Sequence, residues 1–428
     1  MFQVLGSAWA LLLGMLLLMM GNGLQGTLLG LRGAIEGFTT IELSVIMSSY
    51  FVGFLGGSRV APLMIRRVGH VRVFAALGST ISAILVLYPM LADPAAWSFL
   101  RIIFGFCFSG VYVTAESWLN NATTNDNRGK ALSAYMIVQM AGITIAQAII
   151  TLGDPSGYEL FIIPSILVSL SFMPILLSIN PTPAFDTTKP MTLRQLWQVS
   201  PTGCVGMFLM GGVFSTQFGM SAVYGSLAGL SVTQISTFVA AIYIGGLVLQ
   251  YPIGWMSDRM DRRQLIALTA VAGVVASILG ALLGGFFPVL LVAAFFIGGL
   301  ANPLYALLIA YTNDYLEHED MAAASGGMVF INGVGAISGP LIVGWMMGQV
   351  GPVGFWVFLG ILMAALAAYS LWRMTQRPST PIDETASYTP VLPSATPLAV
   401  ELAQEFDIET ALEEERIDEI EPDPVAKS

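Results

Sequence analysis

From Thr202 to Ser257 the chain carries no Asp, Glu, Lys or Arg, and uncharged apolar stretches also run over 7–31, 73–92 and 264–284. A stretch of about 20 apolar residues matches the ~30 Å hydrocarbon core of a bilayer. Charged residues make up only 10% of the sequence, where a soluble domain carries about 25%. An ordinary globular protein is excluded; the chain reads as a polytopic, all-α membrane protein.

Apolar run by apolar run, twelve transmembrane helices are predicted. The first six fall near 7–31, 41–64, 73–92, 95–119, 130–152 and 159–179, the second six near 201–224, 233–256, 264–285, 288–312, 322–348 and 353–373. The first is too long, and its flank too uncharged, for a cleaved signal peptide. Sorting charges by alternate connections places Arg66, Arg67, Arg72, Arg128, Lys130, Lys189, Arg194, Arg259, Arg262, Arg263, Arg373 and Arg377 on one side and Arg32 alone on the other. The positive-inside rule then predicts a multi-pass protein of the cytoplasmic (inner) membrane with both termini in the cytoplasm.

The net charge of -10 is concentrated in the tail: residues 374–428 hold thirteen acids against Arg377, Arg416 and Lys427. Rich in Pro, Ser, Thr and Glu, that tail is expected to be mostly disordered. Within it "AVELAQEFDIETALEEERIDEI" has the pattern of an amphipathic helix. Cys107 and Cys204 fall inside apolar runs and read as buried structural thiols.

The polar connection 180–200 divides the helices six and six, giving an N-terminal bundle (1–179), a central cytoplasmic linker (180–200), a C-terminal bundle (201–373) and the acidic tail (374–428). The halves match weakly at an offset near 192: "IRRVGHVR" falls on "SDRMDRR", and "SWLNNATTNDNRGKALSAYM" on "AYTNDYLEHEDMAAASGGMV". Such repeats mark transporters, with a substrate site near the bilayer midplane between the repeats.

"GWMSDRMDRR" resembles the cytoplasmic loop signature of the major facilitator superfamily, G-x-L-x-D-R-x-G-R-R. Gly254, Asp258, Arg259, Arg262 and Arg263 match, Met256 replaces Leu, and Asp261 departs at the Gly position. The first-half copy, "PLMIRRVGHVR", keeps Arg67 and Gly69 but has Arg66 in place of the Asp. Arg101 and Gly105 resemble the family's helix 4 element R-x-x-x-G. With "NGLQGTLLGLR", "ESWLN" and "RVGHVRVFA", the chain is most similar to the YcaD-like bacterial subgroup, over about residues 1–375.

That resemblance implies two pseudo-symmetric six-helix bundles and a gating role for the charged loops. Asp258, Arg259, Arg262 and Arg263 would form and break ion pairs between halves. The purely cationic first-half loop, Arg66 and Arg67, would need an acid such as Glu116, Asp314, Glu317, Glu319 or Asp320. A gate of this kind is a two-state contact that small free energies can tip.

Arg59, Arg101 and Glu116 are the ionisable charged residues inside the predicted spans, away from their ends, and such residues are costly and functional by default. Arg101, Phe108, Tyr112 and Glu116 share one helix face, with Arg101 and Glu116 ~22 Å apart along it. Those two cannot pair. Glu116 therefore reads as a gate partner of Arg59, Arg66 or Arg67, or else as a proton carrier. Arg59 either snorkels or meets Glu116. Arg101 reads as a cavity contact for a polar or anionic solute, as a group that tunes a proton site, or as a structural hydrogen-bonding residue.

The resemblance also implies that helices 1, 4, 7 and 10 line the cavity, so Asn22, Gln25, Tyr112, Gln217, Tyr224, Asn302 and Tyr305 are candidate substrate contacts beside Arg101, with Gln139 and Asn332 on neighbouring helices. Amides in such positions also join helices by hydrogen bonds. The leading function is a secondary or facilitative carrier moving a small solute by alternating access. The alternative is a sensor or assembly protein acting through the acidic tail. No HExxH motif, phosphate-binding loop or pair of intramembrane carboxylates is present, so neither an enzyme nor an ATP-driven pump is expected. No cofactor, metal or nucleic acid is implied; the expected partners are the solute, the bilayer and, for coupling, protons, with the chain a monomer.

Overall fold

The computed structural model describes residues 2–122, 128–177, 191–376, 381, 385 and 388–404. Lys189 and Arg377, two of the sorted charges, lie outside the described residues, as does the amphipathic run beyond residue 404. The described residues form helices and no strand.

The first half consists of α1 (Phe2–Ile35), α2 (Thr40–Val68), α3 (His70–Met90), α4 (Pro94–Ala122), α5 (Arg128–Ile150) and α6 (Glu159–Leu177). A seven-residue helix, α7 (Leu193–Val199), forms the last part of the linker. The second half begins with a broken span, α8 (Pro201–Ser215) and α9 (Ser221–Leu227), joined by a π-helical turn over Thr216–Met220. It continues through α10 (Val232–Ser257), α11 (Arg262–Leu283), α12 (Phe287–Asn313), α13 (His318–Val350) and α14 (Val353–Met374). Among the described residues, eleven helical segments are long and apolar enough to cross a membrane, α8 and α9 counted as one, and the shorter apolar α6 is the twelfth expected span. This is the all-α architecture read from the sequence.

The 192-residue repeat is visible in the packing. Thr39 and Glu42 close a capping box at the start of α2, and Ser231 and Gln234 close one at the start of α10. Each box satisfies two otherwise unpaired N–H groups at a helix start. The α2–α4 crossing is so close that a Cβ on Gly53 would lie 1.8 Å from the Ile102 carbonyl oxygen, and one on Gly105 2.0 Å from that of Tyr50. In the second half Gly245 would meet the Phe295 oxygen at 1.9 Å, and Gly298 the Ile242 oxygen at 2.1 Å. Small residues let helix backbones touch where lipid gives no hydrophobic drive for association.

Because the start of α1 and the end of α14 lie at one end of the bundle, the ends can be called terminal and distal. The halves meet where α2 packs along α13, α5 along α10 and α1 against α9. At the distal end they are pressed together. Gly30 of α1 abuts Ala222 of α9, Gly344 of α13 abuts Ser44 of α2, and the Ser48 hydroxyl donates to the Ile337 carbonyl at 2.6 Å. At the terminal end the halves are separated by the chain's own residues 388–404, extended at first and helical over 397–404. Composition reads 374–428 as mostly disordered; the amphipathic pattern that begins at Ala399 overlaps the helix seen here, but the seating of 388–404 between the halves has no sign in it.

Candidate solute cavity

Between the halves, above the sealed distal end, lies a narrow cavity of about 50 Å³. Its wall draws on Asn22 of α1, on Tyr50, Phe51, Phe54, Leu55 and Ser58 of α2, and on Tyr112 of α4. Met140 and Ile143 of α5 complete the first-half side. The second half contributes Phe214, Phe218, Tyr243, Asn302, Val329, Asn332, Gly333 and Ala336. Leu392, Pro393, Ser394 and Ala395 cap the terminal side. Among the described residues, no Asp, Glu, Lys or Arg lines it.

The wall is built of ring faces and a few amides. Tyr50 and Phe218 meet across the halves at 5.5 Å between ring centroids, and Phe54 and Tyr112 at 5.9 Å edge to face. Such pairs are favourable beyond the area they bury. The π-helical turn in the broken span places Phe218 in this wall; π-bulges occur often at functional sites. Asn302 donates to the Gly298 carbonyl at 3.1 Å, while Asn22 Oδ1 and Asn332 Nδ2 have no hydrogen-bond partner among the described residues. A buried amide group left unpaired costs free energy that a polar ligand would recover.

Of the candidate solute contacts, Asn22, Tyr112, Asn302 and Asn332 line the space. The other six do not. Arg101 is buried behind Tyr50, with its guanidinium carbon 5.0 Å from that ring and 5.7 Å from the Phe104 ring. It donates to Gln25 Oε1 and, at 3.5 Å, to the Met47 sulfur. The expectation that Arg101 faces the cavity is thus corrected: cation, amide, thioether and rings tie α1, α2 and α4 into one unit. Gln217 donates to the Ile297 carbonyl at 3.2 Å, and Tyr224 stacks on Phe355 at 4.9 Å within the second half. Gln139 and Tyr305 are buried away from the wall. The Tyr50, Phe54, Phe214 and Phe218 wall was missed by reasoning that looked for polar groups; its signal is two aromatic pairs spaced i, i+4.

The charged loop residues take a different arrangement from an inter-half latch. Arg262 is buried and ion-paired with Asp314, also donating to Ser257 Oγ at 3.1 Å, which joins the start of α11 to the end of α12 within one half. At the matching first-half position His70 meets Ser117 Oγ at 2.9 Å. Arg263 pairs with Asp261 at 2.9 Å. Burial works to raise the Asp261 carboxyl, but the Arg263 hydrogen bonds outweigh it and hold it below the usual carboxylate range. Arg259 lies over the Trp255 ring at 4.4 Å. Arg66 and Arg67 are exposed. Arg59 of α2 lies 4.4 Å from the Phe330 ring of α13, in the opposite half. Glu116 meets neither Arg59, Arg66 nor Arg67; it is buried and accepts a hydrogen bond from the Thr396 hydroxyl. Asp258 accepts from the Tyr388 N–H at 2.9 Å.

The sequence profile of the Major Facilitator Superfamily matches residues 11–231 and 202–406, and the chain belongs to that family. It is 25% identical over 342 residues to an MFS-type transporter, YcaD, of Salmonella arizonae, covering 79% of this chain and 88% of that protein. Identity to YcaD of Escherichia coli O6:K15:H31 is 26% over the same coverage. Among solved structures, a mutant of the nucleoside transporter NupG superposes with a TM-score of 0.75 at 15% identity, covering 86% of this chain and 99% of that one. A bacterial homologue of the lysosomal transporter Spinster, inward-facing and unoccupied, gives 0.63 at 12% identity, with coverage of 94% and 98%. The chain is therefore a multi-pass membrane transporter. These comparisons give the sensor alternative no support.

Proposed function

We propose that the chain is a carrier that moves a small, uncharged solute by alternating access through the space between its halves. The observation that carries this reading is the wall itself, drawn from both halves and free of ionised side chains. Aromatic faces favour a flat or apolar moiety, and the amides of Asn22, Asn302 and Asn332 favour a hydrogen-bonding edge. Nucleosides, the cargo named for NupG, combine those two features and make a first class to test. An anionic solute would find no cation in the wall, since Arg101 is sealed behind Tyr50. With no carboxylate in the wall, a proton-coupled cycle would have to run through Glu116.

A thermal-shift series tests the solute class, because a ligand that binds only the folded state raises stability in proportion to ln(1 + [L]/Kd). Neutral heterocyclic solutes should raise Tm, and Asn302→Ala with Asn332→Ala should abolish the rise and the corresponding liposome uptake. Stabilisation by anions alone, undiminished in those variants, would contradict the proposal.

The proposed orientation has both termini cytoplasmic in the inner membrane. A membrane-impermeant thiol reagent on intact cells should label a Gly37→Cys variant and miss Thr188→Cys and Thr380→Cys. The reverse pattern would invert the topology.

A further inference from the structure

We propose that residues 388–404 are an intrachain plug: a segment seated between the halves at the terminal end that blocks passage and must leave before that end can close. The segment is bonded to both halves. On the second half, the Tyr388 N–H donates to Asp258, Gln250 donates to the Tyr388 hydroxyl at 2.6 Å, and Gln404 donates to Asn313 Oδ1 at 2.9 Å. On the first half, the Thr396 hydroxyl donates to Glu116 of α4. Its apolar side chains fill the gap: Val400 is 0% exposed, and Leu392 packs with Met136 and Met140 of α5, with Leu247 of α10 against them.

Those contacts occupy the positions that a closed terminal end would need. The loop aspartate Asp258 and the buried acid Glu116 are both engaged by the tail rather than by the facing half. A carrier that alternates must bring the halves together at this end in part of its cycle, and close-packed interiors leave no room for a second occupant. The seated plug and the terminally closed state therefore exclude one another. A segment that binds one state alone shifts the population toward it by its whole binding free energy. Release of the plug both opens the path to the cavity and permits closure. The effect on transport rests on the carrier reading above; the seating of the plug does not, and the test below reads access alone.

The test uses purified full chain in a Cys107→Ala, Cys204→Ala background with a water-soluble maleimide. A cysteine at Val400→Cys should react roughly tenfold or more slowly in the native protein than after denaturation, as expected of a site exposed only by local opening. A cysteine deep in the wall, Ala336→Cys, should react slowly in the full chain. Its rate should rise roughly tenfold on truncation after Gln376 or on Leu392→Asp, which places a charge among methionines. Should either variant fail to elute as a single species, the other variant and Val400→Cys still decide the matter. Native Val400→Cys reacting at the denatured rate, or Ala336→Cys rates equal with and without the seated segment, would overturn the plug.

Discussion

A guanidinium sealed in an apolar bundle needs its hydrogens and charge met, and at Arg101 neutral groups meet them in part: the Gln25 amide, the Met47 sulfur and the faces of Tyr50 and Phe104, while Nε has no hydrogen-bond partner among the described residues. The energetics are asymmetric. Removing the acceptor strands a buried cation, at a cost of about 1–3 kcal/mol or more, whereas replacing the cation with an apolar group of similar size removes the demand itself. Gln25→Ala should accordingly lower thermal stability more than Arg101→Met, measured as Tm in detergent. The opposite ranking would show that Arg101 is held by something other than Gln25. Spacing puts Arg101 on one helix face with Tyr112, but a helical wheel holds no record of what stands in front of a face. Here Tyr50, on a different helix, stands there. Asn22, Asn302 and Asn332 were legible because amides are scarce in apolar spans. The ring wall was not, because aromatic pairs at i, i+4 are common throughout such helices.

At the scale of elements, the two halves repeat their construction: capping boxes at α2 and α10, and backbone-to-backbone crossings at α2–α4 and α10–α12. The charged loop between α10 and α11 divides into a fixed part and a movable part. Arg262 and Asp314 are a buried pair with side chains 2% and 3% exposed, while Asp258 is 40% exposed and bonded to the tail. Breaking a buried pair by removing one member costs about 3–5 kcal/mol, and losing an exposed contact costs ~0–1 kcal/mol. Arg262→Ala should therefore lower Tm sharply, and Asp258→Asn should leave Tm nearly unchanged while loosening Tyr388. Equal effects on Tm would contradict this division. Helix positions were legible because long apolar runs are a strong, redundant signal, and the repeat because loop segments such as "IRRVGHVR" and "SDRMDRR" fall at one offset, though weakly. The seating of residues 388–404 was not, since Val391, Leu392, Ala395 and Val400 are interrupted by Pro, Ser and Thr. Their burial comes entirely from partners distant in sequence.

At the scale of the whole molecule, the proposed carrier cycle has two halves rock about a shared cavity, with the distal end closed in this structure and the terminal end held apart by the plug. Alternating exposure requires that one end open as the other closes. The most direct measurement is pulsed electron–electron distance spectroscopy on two label pairs in liposomes, Gly37 with Gly229 at the distal end and Arg67 with Arg259 at the terminal end. In the full chain, the distal pair should be dominated by its short separation and the terminal pair by its long one. Truncation after Gln376 should bring up a second population in which the distal pair lengthens and the terminal pair shortens together. A single unchanged separation at both pairs, with and without the tail, would contradict a rocking carrier.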